Sequence, residues 1–302
     1  MQAGARDLLP LPLVEADLVA ALVRIDRDHR AAASGHAGTV TAFMNAKGGC
    51  GATFLACNVA HALTTLSRKR VALVDLDLQF GAIPLYFDLF PKRGLLQALE
   101  NMDGLDEVAL QGYLVRHASG LDVLGHAAED ALPLGNVSAE LLNNLLTVAL
   151  KGHDHVVVDL PRRIDTIAAR VIDQAQHIVL VVQQAVTVLR DATRLMNCLR
   201  RDLSVSQDRI VIVINRYDKD AAISPEDIRS ALHCDEPLLV PNDFRSVSEC
   251  IASGQPLLTQ ARSAAITKAI MTLETRLGGS AAAERPSFFA RTFSSLIKPR
   301  TP

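Results

Sequence analysis

A glycine-rich segment at residues 46–53 constrains the fold of this chain more than any other feature of its sequence. It reads Ala-Lys-Gly-Gly-Cys-Gly-Ala-Thr and lies between an apolar, β-branched stretch at 39–45 and an amphipathic stretch at 53–66. A strand, a glycine loop and a helix in this order direct the free N–H groups of the helix N-terminus towards an anion. The segment therefore predicts a phosphate-binding loop that leads from a buried strand into a helix.

The loop keeps most of the chemistry of the standard phosphate loop, G-x-x-x-x-G-K-[ST], but not all of it. Its glycines leave the backbone open to an anion, and Thr53 supplies the hydroxyl that would ligate Mg²⁺. Ala52 occupies the position of the standard lysine, and Lys47 is an extra lysine near the start of the loop. We expect such a loop to bind nucleotide better than it hydrolyses it. The predicted loop ligands are Lys47, Gly48, Gly49, Cys50, Gly51, Ala52, Thr53 and Phe54.

Apolar runs and amphipathic runs alternate from Thr39 onward, which is the pattern of a parallel sheet covered by helices on both faces. The sequence therefore predicts an α/β fold with a doubly wound, mostly parallel sheet. The predicted strands are 39–45, 71–75, 155–160, 177–183, 209–215 and 237–240. The predicted helices are 53–66, 138–150, 163–174, 187–203, 224–231, 244–252 and 262–276. An extra hairpin is expected in the irregular region between 83 and 137, from 114–117 and 121–125.

Carboxylates follow two of the predicted strands. Asp75 and Asp77 lie at the end of one strand, and alternate residues of an extended chain face the same way. One of them would hold the water shell of a magnesium ion, and the other would orient the attacking water. Asp159 ends the strand at 155–160 in the manner of a Walker B acid and would hold the ion indirectly.

Polar residues that are candidates for nucleotide contacts follow two further strands. Asn215 and Arg216 end one of them, and the amide of Asn215 is able both to donate to and to accept from an adenine edge. Pro241, Asn242 and Asp243 follow the next strand. Ligands of such sheets bind at the carboxyl ends of the strands, so these residues are expected near the loop.

Composition and charge exclude several classes of protein. The net charge is −2, so no global basic field recruits nucleic acid, and we expect no nucleic-acid partner. The arginine pairs at 162–163 and 200–201 are interpreted as solvated helix faces. Five cysteines without a C-x-x-C pair indicate reduced thiols. No apolar run approaches the roughly 20 residues that span a bilayer, and no signal peptide is visible, so a cytoplasmic protein is expected.

These motifs together resemble the deviant Walker A ATPases typified by MinD and ParA, a group of P-loop NTPases. The resemblance covers most of residues 38–276. The positions that carry it are Lys47-Gly48-Gly49-x-Gly51-x-Thr53, Asp75-x-Asp77, Asp159-Leu160-Pro161, Asn215-Arg216 and Pro241-Asn242-Asp243.

The resemblance implies ATP and Mg²⁺ as cofactors and a homodimer that sandwiches two nucleotides. In this interpretation Lys47 of each subunit reaches the phosphates bound by the other, and Asp191 lies near the dimer surface. The implied catalytic residues are Lys47, Asp75 and Asp77. The implied magnesium ligands, partly through water, are Thr53, Asp75 and Asp159.

Within this group the chain is most similar to pilus assembly proteins of the CpaE/TadZ type. These commonly carry Lys-Gly-Gly-x-Gly-Ala-Thr after an atypical receiver domain, and residues 3–25 resemble the last strand and helix of a receiver domain. The implied role is a localisation or assembly factor for a type IV-b (Tad/Flp) pilus secretion machine, with weak or partner-dependent hydrolysis. Such a protein would be cytoplasmic, either polar or peripheral at the inner membrane. The alternative is a fully cycling MinD/ParA-type ATPase that acts in septum placement or DNA partition.

Three regions are expected along the chain. Residues 1–36 would be a receiver-like remnant and linker, 37–279 the ATPase domain, and 280–302 a linker and amphipathic tail. In a helix at 286–300, Phe289, Phe293, Leu296 and Ile297 would share one face. Such a segment is suited to a membrane surface, and a frayed tail or a helix that docks on a partner are the alternatives.

Overall fold

The computed structural model of this chain describes residues 38–102, 104–127 and 137–278. Its strands form one eight-stranded sheet in the order β3-β4-β2-β5-β1-β6-β7-β8. Neighbouring strands are parallel except for the antiparallel pair β3 and β4. The strands are β1 Thr39–Asn45, β2 Val71–Asp75, β3 Val115–Arg116, β4 Asp122–Leu124, β5 His155–Leu160, β6 His177–Val182, β7 Ile210–Tyr217 and β8 Leu238–Pro241.

Helices cover both faces of this sheet, which confirms the predicted doubly wound α/β fold. They are α1 Ala52–Thr65, α2 Leu95–Glu100, α3 Glu107–Leu110, α4 Ala139–Gly152, α5 Thr166–Gln174, α6 Val186–Asn197, α7 Pro225–Leu232, α8 Phe244–Ser253, α9 Leu257–Gln260 and α10 Ala265–Gly278. A π-helical turn at Cys198–Asp202 continues α6, and 3₁₀ turns lie at Ile83–Phe87 and Gln207–Arg209.

The core of the domain lies around the middle strands and α1. Every residue of β2 and β5 is buried, because helices shield both faces of the sheet and the strands are almost wholly apolar. The helix α1 is buried along nearly its whole length and packs against β1, β2, β5 and α10. The phosphate loop, which joins β1 to α1, is therefore held between two fully packed elements.

Some element boundaries differ from the predicted ones for local reasons. The helix α5 begins at Thr166 rather than at 163, because the Asp165 carboxylate accepts a hydrogen bond from the N–H of Ala168 and caps the helix there. The short helices α2, α3 and α9 are absent from the predicted elements, since their few residues show no periodicity. The hairpin is confirmed, with Val115 opposite Val123, and its second strand adds to the sheet beside β2.

The predicted receiver-like remnant at 1–36 and the amphipathic tail at 280–302 lie outside the described residues, so both stay predictions. Within 38–102, 104–127 and 137–278, no helix is long and apolar enough to cross a membrane.

Two histidines are buried beside the sheet in places that favour the neutral ring. The Nε2 atom of His155 lies 2.8 Å from the Thr41 hydroxyl. Burial, followed by the charge of Lys69 and by His177, lowers the pKa of His155 to about 3. Burial, with His117 beside it, lowers the pKa of His61 to about 4. Folding therefore requires both rings to remain uncharged.

We predict that the neutral rings of His61 and His155 stabilise the fold and that acid removes this contribution, while the raised pKa values of Asp75 and Asp159 act in the opposite direction. The unfolded chain takes up a proton on each histidine near pH 6.5, whereas the folded chain resists until pH 3 to 4. Each neutral ring therefore makes its full contribution to the free energy of unfolding above pH 6.5. Below that pH the contribution falls by up to about 1.4 kcal/mol per pH unit. Urea denaturation between pH 7.5 and 4.5 should show this loss as a difference, because the free energy of unfolding of the wild type should fall more, or rise less, on acidification than that of His155→Gln. The exposed His233, changed to Asn, is the control, and an equal slope in all three proteins would contradict the prediction.

Candidate functional site

The phosphate loop between β1 and α1 is closed by the side chain of the residue that precedes it. The Asn45 Oδ1 atom accepts a hydrogen bond of 2.9 Å from the N–H of Ala52, and the N–H of Cys50 donates to the Lys47 carbonyl at 3.1 Å. Gly49 and Gly51 have φ angles of 82° and 100°, in the left-handed region that favours glycine. The predicted loop is thus a tight, left-handed turn that leads directly into the N-terminus of α1.

Asn215, near the end of β7, holds the backbone of the loop through its side-chain amide. Its Nδ2 atom donates to the Cys50 carbonyl at 2.8 Å, and its Oδ1 atom accepts from the N–H of Arg216 at 2.9 Å. A Cβ atom at Gly51 would lie 2.4 Å from the Asn215 Nδ2 atom, so glycine is required for this approach. In the structure the Asn215 amide holds the phosphate loop in place, and the adenine contact that the sequence suggests for it stays a prediction.

Asp159, at the end of β5, meets the first turn of α1. The Thr53 hydroxyl donates to the Asp159 Oδ2 atom at 2.7 Å. The Oδ1 atom of Asp159 is buried and has no hydrogen-bond partner among the described residues. Burial, and then the neighbouring Asp75, raise the pKa of Asp159 to about 8. A bound cation would relieve both the missing partner and the buried charge.

Asp75 lies opposite Asp159 in the pairing of β2 with β5, but its oxygens are already engaged. Its Oδ1 atom accepts from the N–H of Asp77 at 3.1 Å, and its Oδ2 atom accepts from the N–H of Ile83 at 3.0 Å. Burial raises the pKa of Asp75 to about 6, although these two backbone donors act in the other direction. A Cβ atom at Gly81 would lie 2.5 Å from the Asp75 Oδ2 atom, so the turn wraps tightly around this carboxyl. Asp75 thereby anchors the segment that carries Asp77.

Asp77 is less buried than Asp75 and lies on the turn after β2. Its Oδ1 atom accepts from the N–H groups of Gln79 and Phe80, at 3.3 and 3.1 Å. Its carbonyl accepts from the N–H of Gly81, and it lies 2.9 Å from the His126 Nε2 atom. The turn therefore leaves the Asp77 carboxylate partly exposed and keeps the Asp75 carboxylate buried.

The described residues contain no group of three His, Cys, Asp or Glu side chains that could hold a metal ion. Mg²⁺ takes oxygen ligands and usually keeps several waters, with one or two carboxylates and substrate phosphates completing its shell. The Thr53 hydroxyl and the unpartnered oxygen of Asp159 match this preference for a few oxygen ligands from the protein. The residues present therefore suit a magnesium ion that arrives with a nucleotide.

Arg162 is a site residue that sequence reasoning missed. Its Nε atom donates to the Ala46 carbonyl at 2.9 Å, and its Nη2 atom donates to the Asp191 Oδ2 atom at 2.7 Å. The interpretation of Arg162 as part of a solvated helix face is therefore wrong, because it precedes α5. Pro161 before it and the capping Asp165 after it are the local signals that could have indicated this.

Lys47 follows the anchored Ala46, and its ammonium group has no ion pair or hydrogen bond to the described residues. Position 52, by contrast, holds a buried alanine methyl, and burial raises the pKa of the nearby Cys50 thiol. The loop therefore offers one free cation at its start and none at the position of the standard lysine.

The remaining predicted residues take local structural roles. Arg216 is exposed with a φ of 54°, and the Asp243 Oδ1 atom caps α8 by accepting from the N–H of Ser246 at 3.0 Å. The N–H of Asn242 donates to the Tyr217 carbonyl at 3.2 Å and thereby joins the ends of β7 and β8. Pro241 ends β8, and the ring of Phe54 is buried on α1 with its centroid 6.3 Å from that of Tyr86. The loop, Asp75, Asp159 and Asn215 come together in one place, whereas the Phe54 side chain belongs to the core.

We predict that Gly51→Ala destabilises the protein and Gly48→Ala does not. An alanine at position 51 would adopt a left-handed φ, which costs about 1–2 kcal/mol, and would push against the Asn215 amide. A Cβ atom at Gly48 would meet nothing within 4 Å. The free energy of unfolding, measured by urea denaturation without nucleotide, should fall only for Gly51→Ala. Equal stability of the two variants would contradict this account of the loop.

Comparison with known proteins places this geometry in a family. Residues 41–257 match the family described as the CobQ/CobB/MinD/ParA nucleotide binding domain. The antiactivator FleN of Pseudomonas aeruginosa is 31% identical over 181 residues, which cover 58% of this chain and 61% of FleN. The chain thus spans less than two thirds of the length of that relative.

Solved structures agree with this assignment. A ParA family ATPase from Chlorobium tepidum matches with a TM-score of 0.73 and 25% identity, over 79% of this chain and 98% of that one. The septum site-determining protein MinD of Pyrococcus horikoshii, complexed with Mg-ADP, matches in fold with a TM-score of 0.68 and 18% identity, over 80% and 96% of the two chains. The family match covers well over half of the sequence and includes the loop, both buried aspartates and Asn215. This chain belongs to the CobQ/CobB/MinD/ParA nucleotide-binding domain family.

Proposed function

We propose that this protein binds ATP with Mg²⁺, dimerises when it does so, and acts as a localisation or assembly factor with weak or partner-dependent ATP hydrolysis. The observation that carries the proposal is the pairing of a preformed phosphate loop with a buried carboxyl, Asp159, that has one oxygen unpartnered. The Thr53 hydroxyl and Asp159 would hold the ion, in part through water. When bound, Mg²⁺ would neutralise part of the negative charge on the phosphates.

The loop of this chain would bind ATP more effectively than it would cleave it. Three side chains from different strand ends, those of Asn45, Asn215 and Arg162, fix the loop backbone before any phosphate arrives. No positive charge stands at Ala52, however, and phosphoryl transfer depends on cations placed on the β- and γ-oxygens. Asp77 is only partly buried, and of the two acids that follow β2 it is the one better placed to orient an attacking water.

A second subunit would supply the missing cation. Lys47 lies at the start of the loop, only half-buried, and its ammonium has no partner among the described residues. In the proposed homodimer this lysine reaches the phosphates bound by the other subunit, so that dimerisation depends on ATP. The ion pair of Arg162 with Asp191 would hold α6 and the loop in a fixed relation at that surface.

The cellular role proposed first is in a type IV-b (Tad/Flp) pilus secretion machine. It is supported by the loop ending in Gly51-Ala52-Thr53 and by the receiver-like sequence of residues 3–25. The protein would be cytoplasmic, at a pole or at the inner membrane, where residues 286–300 would contact the surface. Purification from its native host with ATP present, followed by mass spectrometry, tests this role, and recovery of division or chromosome-partition proteins instead of pilus components would contradict it.

The alternative is a cycling ATPase in septum placement or DNA partition, and the named relatives favour it. The structures similar to this chain include the septum site-determining protein MinD and a ParA family ATPase. Steady-state turnover measured with pilus components and with division or partition proteins separates the two roles, because a cycling ATPase would be strongly stimulated only by the division or partition proteins.

We predict that ATP and Mg²⁺ convert the monomer into a dimer and that Lys47→Ala prevents this while leaving monomer binding of ADP. The exposed Lys151, changed to Ala, is the matched control and should dimerise as the wild type does. Sedimentation velocity with a non-hydrolysable ATP analogue measures the outcome. Equal dimerisation of Lys47→Ala and the wild type would exclude Lys47 as the lysine that acts across the dimer.

We also predict that intrinsic ATP turnover lies well below about 1 s⁻¹, the lower end of the range for kinases. Ala52→Lys should raise both ATP affinity and turnover, because it restores a charge that Gly51 and Thr53 already frame. Ala52→Met, a side chain of similar length without charge, is the control. Brisk turnover of the wild type that Ala52→Lys does not change would overturn the assembly-factor role in favour of the cycling ATPase.

A further inference from the structure

An open cavity of about 580 Å³ lies at the edge of the sheet opposite the phosphate loop. Its walls include Arg70, which precedes β2, Asp122, which begins β4, and His153, which precedes β5. These are the amino ends of parallel strands whose carboxyl ends carry the nucleotide-site residues. Ligand chemistry at this cavity is therefore spatially separate from the site described above.

Arg116, on β3, enters this cavity in a fixed orientation. Its Nε and Nη2 atoms donate to the two oxygens of Asp122, at 2.7 and 2.8 Å. Asp122 is buried, and its Oδ2 atom also lies 3.1 Å from the Nε2 atom of the buried His153. This side-on pairing uses one edge of the guanidinium and leaves the N–H groups of its Nη1 atom for a ligand.

Arg70 is held in the same way on the neighbouring wall. Its Nη2 atom donates to the Asp154 Oδ1 atom at 2.7 Å, and its Nε atom donates to the Oδ2 atom at 3.4 Å. The Nη1 atom of this second guanidinium also has no hydrogen-bond partner in the described part of the chain. Two arginines are thus oriented towards one cavity before any ligand binds, which lowers the entropic cost of binding.

Two further cations, Arg68 and Lys69, belong to the turn after α1. Lys69 donates from its Nζ atom to the Gly278 carbonyl at 2.6 Å, and Arg68 has a φ of 55° and no carboxylate partner in the described part of the chain. The partial negative charge at the C-terminus of α1 repels an anion only weakly. The carbonyls of Ala62 and Leu63, which would carry that charge, already accept hydrogen bonds from backbone N–H groups.

We propose that this basic cavity binds a small ligand that carries two or more phosphate groups. Arg68, Lys69, Arg70 and Arg116 line the cavity, and the carboxylates hydrogen-bonded to them are Asp122 and Asp154, which leaves an excess of two positive charges among these six groups. The charge of Glu107 also acts on Arg70, without an ion pair to it among the described residues. Guanidinium groups match phosphate oxygens in geometry, and the volume falls within the roughly 300–1,000 Å³ of small-molecule sites. The cations gather in one concave place rather than in a stripe, which disfavours a nucleic-acid surface.

Isothermal titration with tripolyphosphate tests the proposal on the full chain. ADP and Mg²⁺ are first bound at one equivalent per chain and the unbound excess is removed by gel filtration, so that the phosphate loop is filled, the proposed cavity is left open, and ADP binding is scored separately. We expect binding of one tripolyphosphate per chain. Arg68→Asn, which keeps a residue that tolerates the left-handed backbone, should weaken it about ten-fold, the effect of losing one charged hydrogen bond.

Two further variants separate recognition from simple charge. Arg116→Lys keeps the charge opposite Asp122 but removes the planar fork, and it should also weaken binding. Arg229→Gln, which removes another exposed arginine, one paired with Glu226 on α7 away from the cavity, should bind as the wild type does.

Several results would overturn the proposal. They are no binding by the wild type, equal binding by Arg68→Asn and Arg229→Gln, and inorganic phosphate binding as tightly as tripolyphosphate. Binding of a polyglutamate peptide without binding of tripolyphosphate would also overturn it, since the cavity would then recognise an acidic protein segment.

Discussion

The contact between the Thr53 hydroxyl and the buried Asp159 carboxyl joins the first turn of α1 to the end of β5. Asp75 lies beside it on β2, so two acids sit next to each other where water scarcely reaches. The charge of Asp75 adds to burial in raising the pKa of Asp159, and of these two acids only Asp159 keeps an oxygen that has no hydrogen-bond partner among the described residues. Such an arrangement costs stability unless a cation shares it, and this constraint explains why the surrounding polar groups are arranged as they are.

The loop backbone is held from three sides, which prepares it for an anion. Asn45 acts from the end of β1, Asn215 from the end of β7, and Arg162 from the segment after β5. Backbone N–H groups that are fixed in advance need no reorganisation when phosphate arrives. Lys47 supplies a cation at the start of the loop, whereas Ala52 supplies none at the position of the standard lysine. The loop is therefore suited to bind phosphate but lacks one of the cations that accelerate phosphoryl transfer.

The sequence was sufficient for the features that are local. The strand, glycine loop and helix at 39–66 follow from composition and periodicity, and Asp159 was recognised because it ends an apolar strand. The contact of Arg162 with Asp191 could not be predicted in this way, because it joins segments that only the folded sheet brings together. The same holds for Asn215, whose position at a strand end was visible but whose partner, the Cys50 carbonyl, was not. The basic cavity likewise depends on β3 and β4 adding to the sheet beside β2, which places Arg116 near Arg70.

The central claim is that Asp159 and the loop form one site for a magnesium nucleotide. The most direct measurement is the affinity for ADP with and without Mg²⁺, in the wild type and in Asp159→Asn, which keeps an acceptor for the Thr53 hydroxyl. The account predicts that Mg²⁺ tightens ADP binding to the wild type and that this gain is largely lost in the variant. An equal gain in both proteins would show that Asp159 does not hold the ion and would contradict the account.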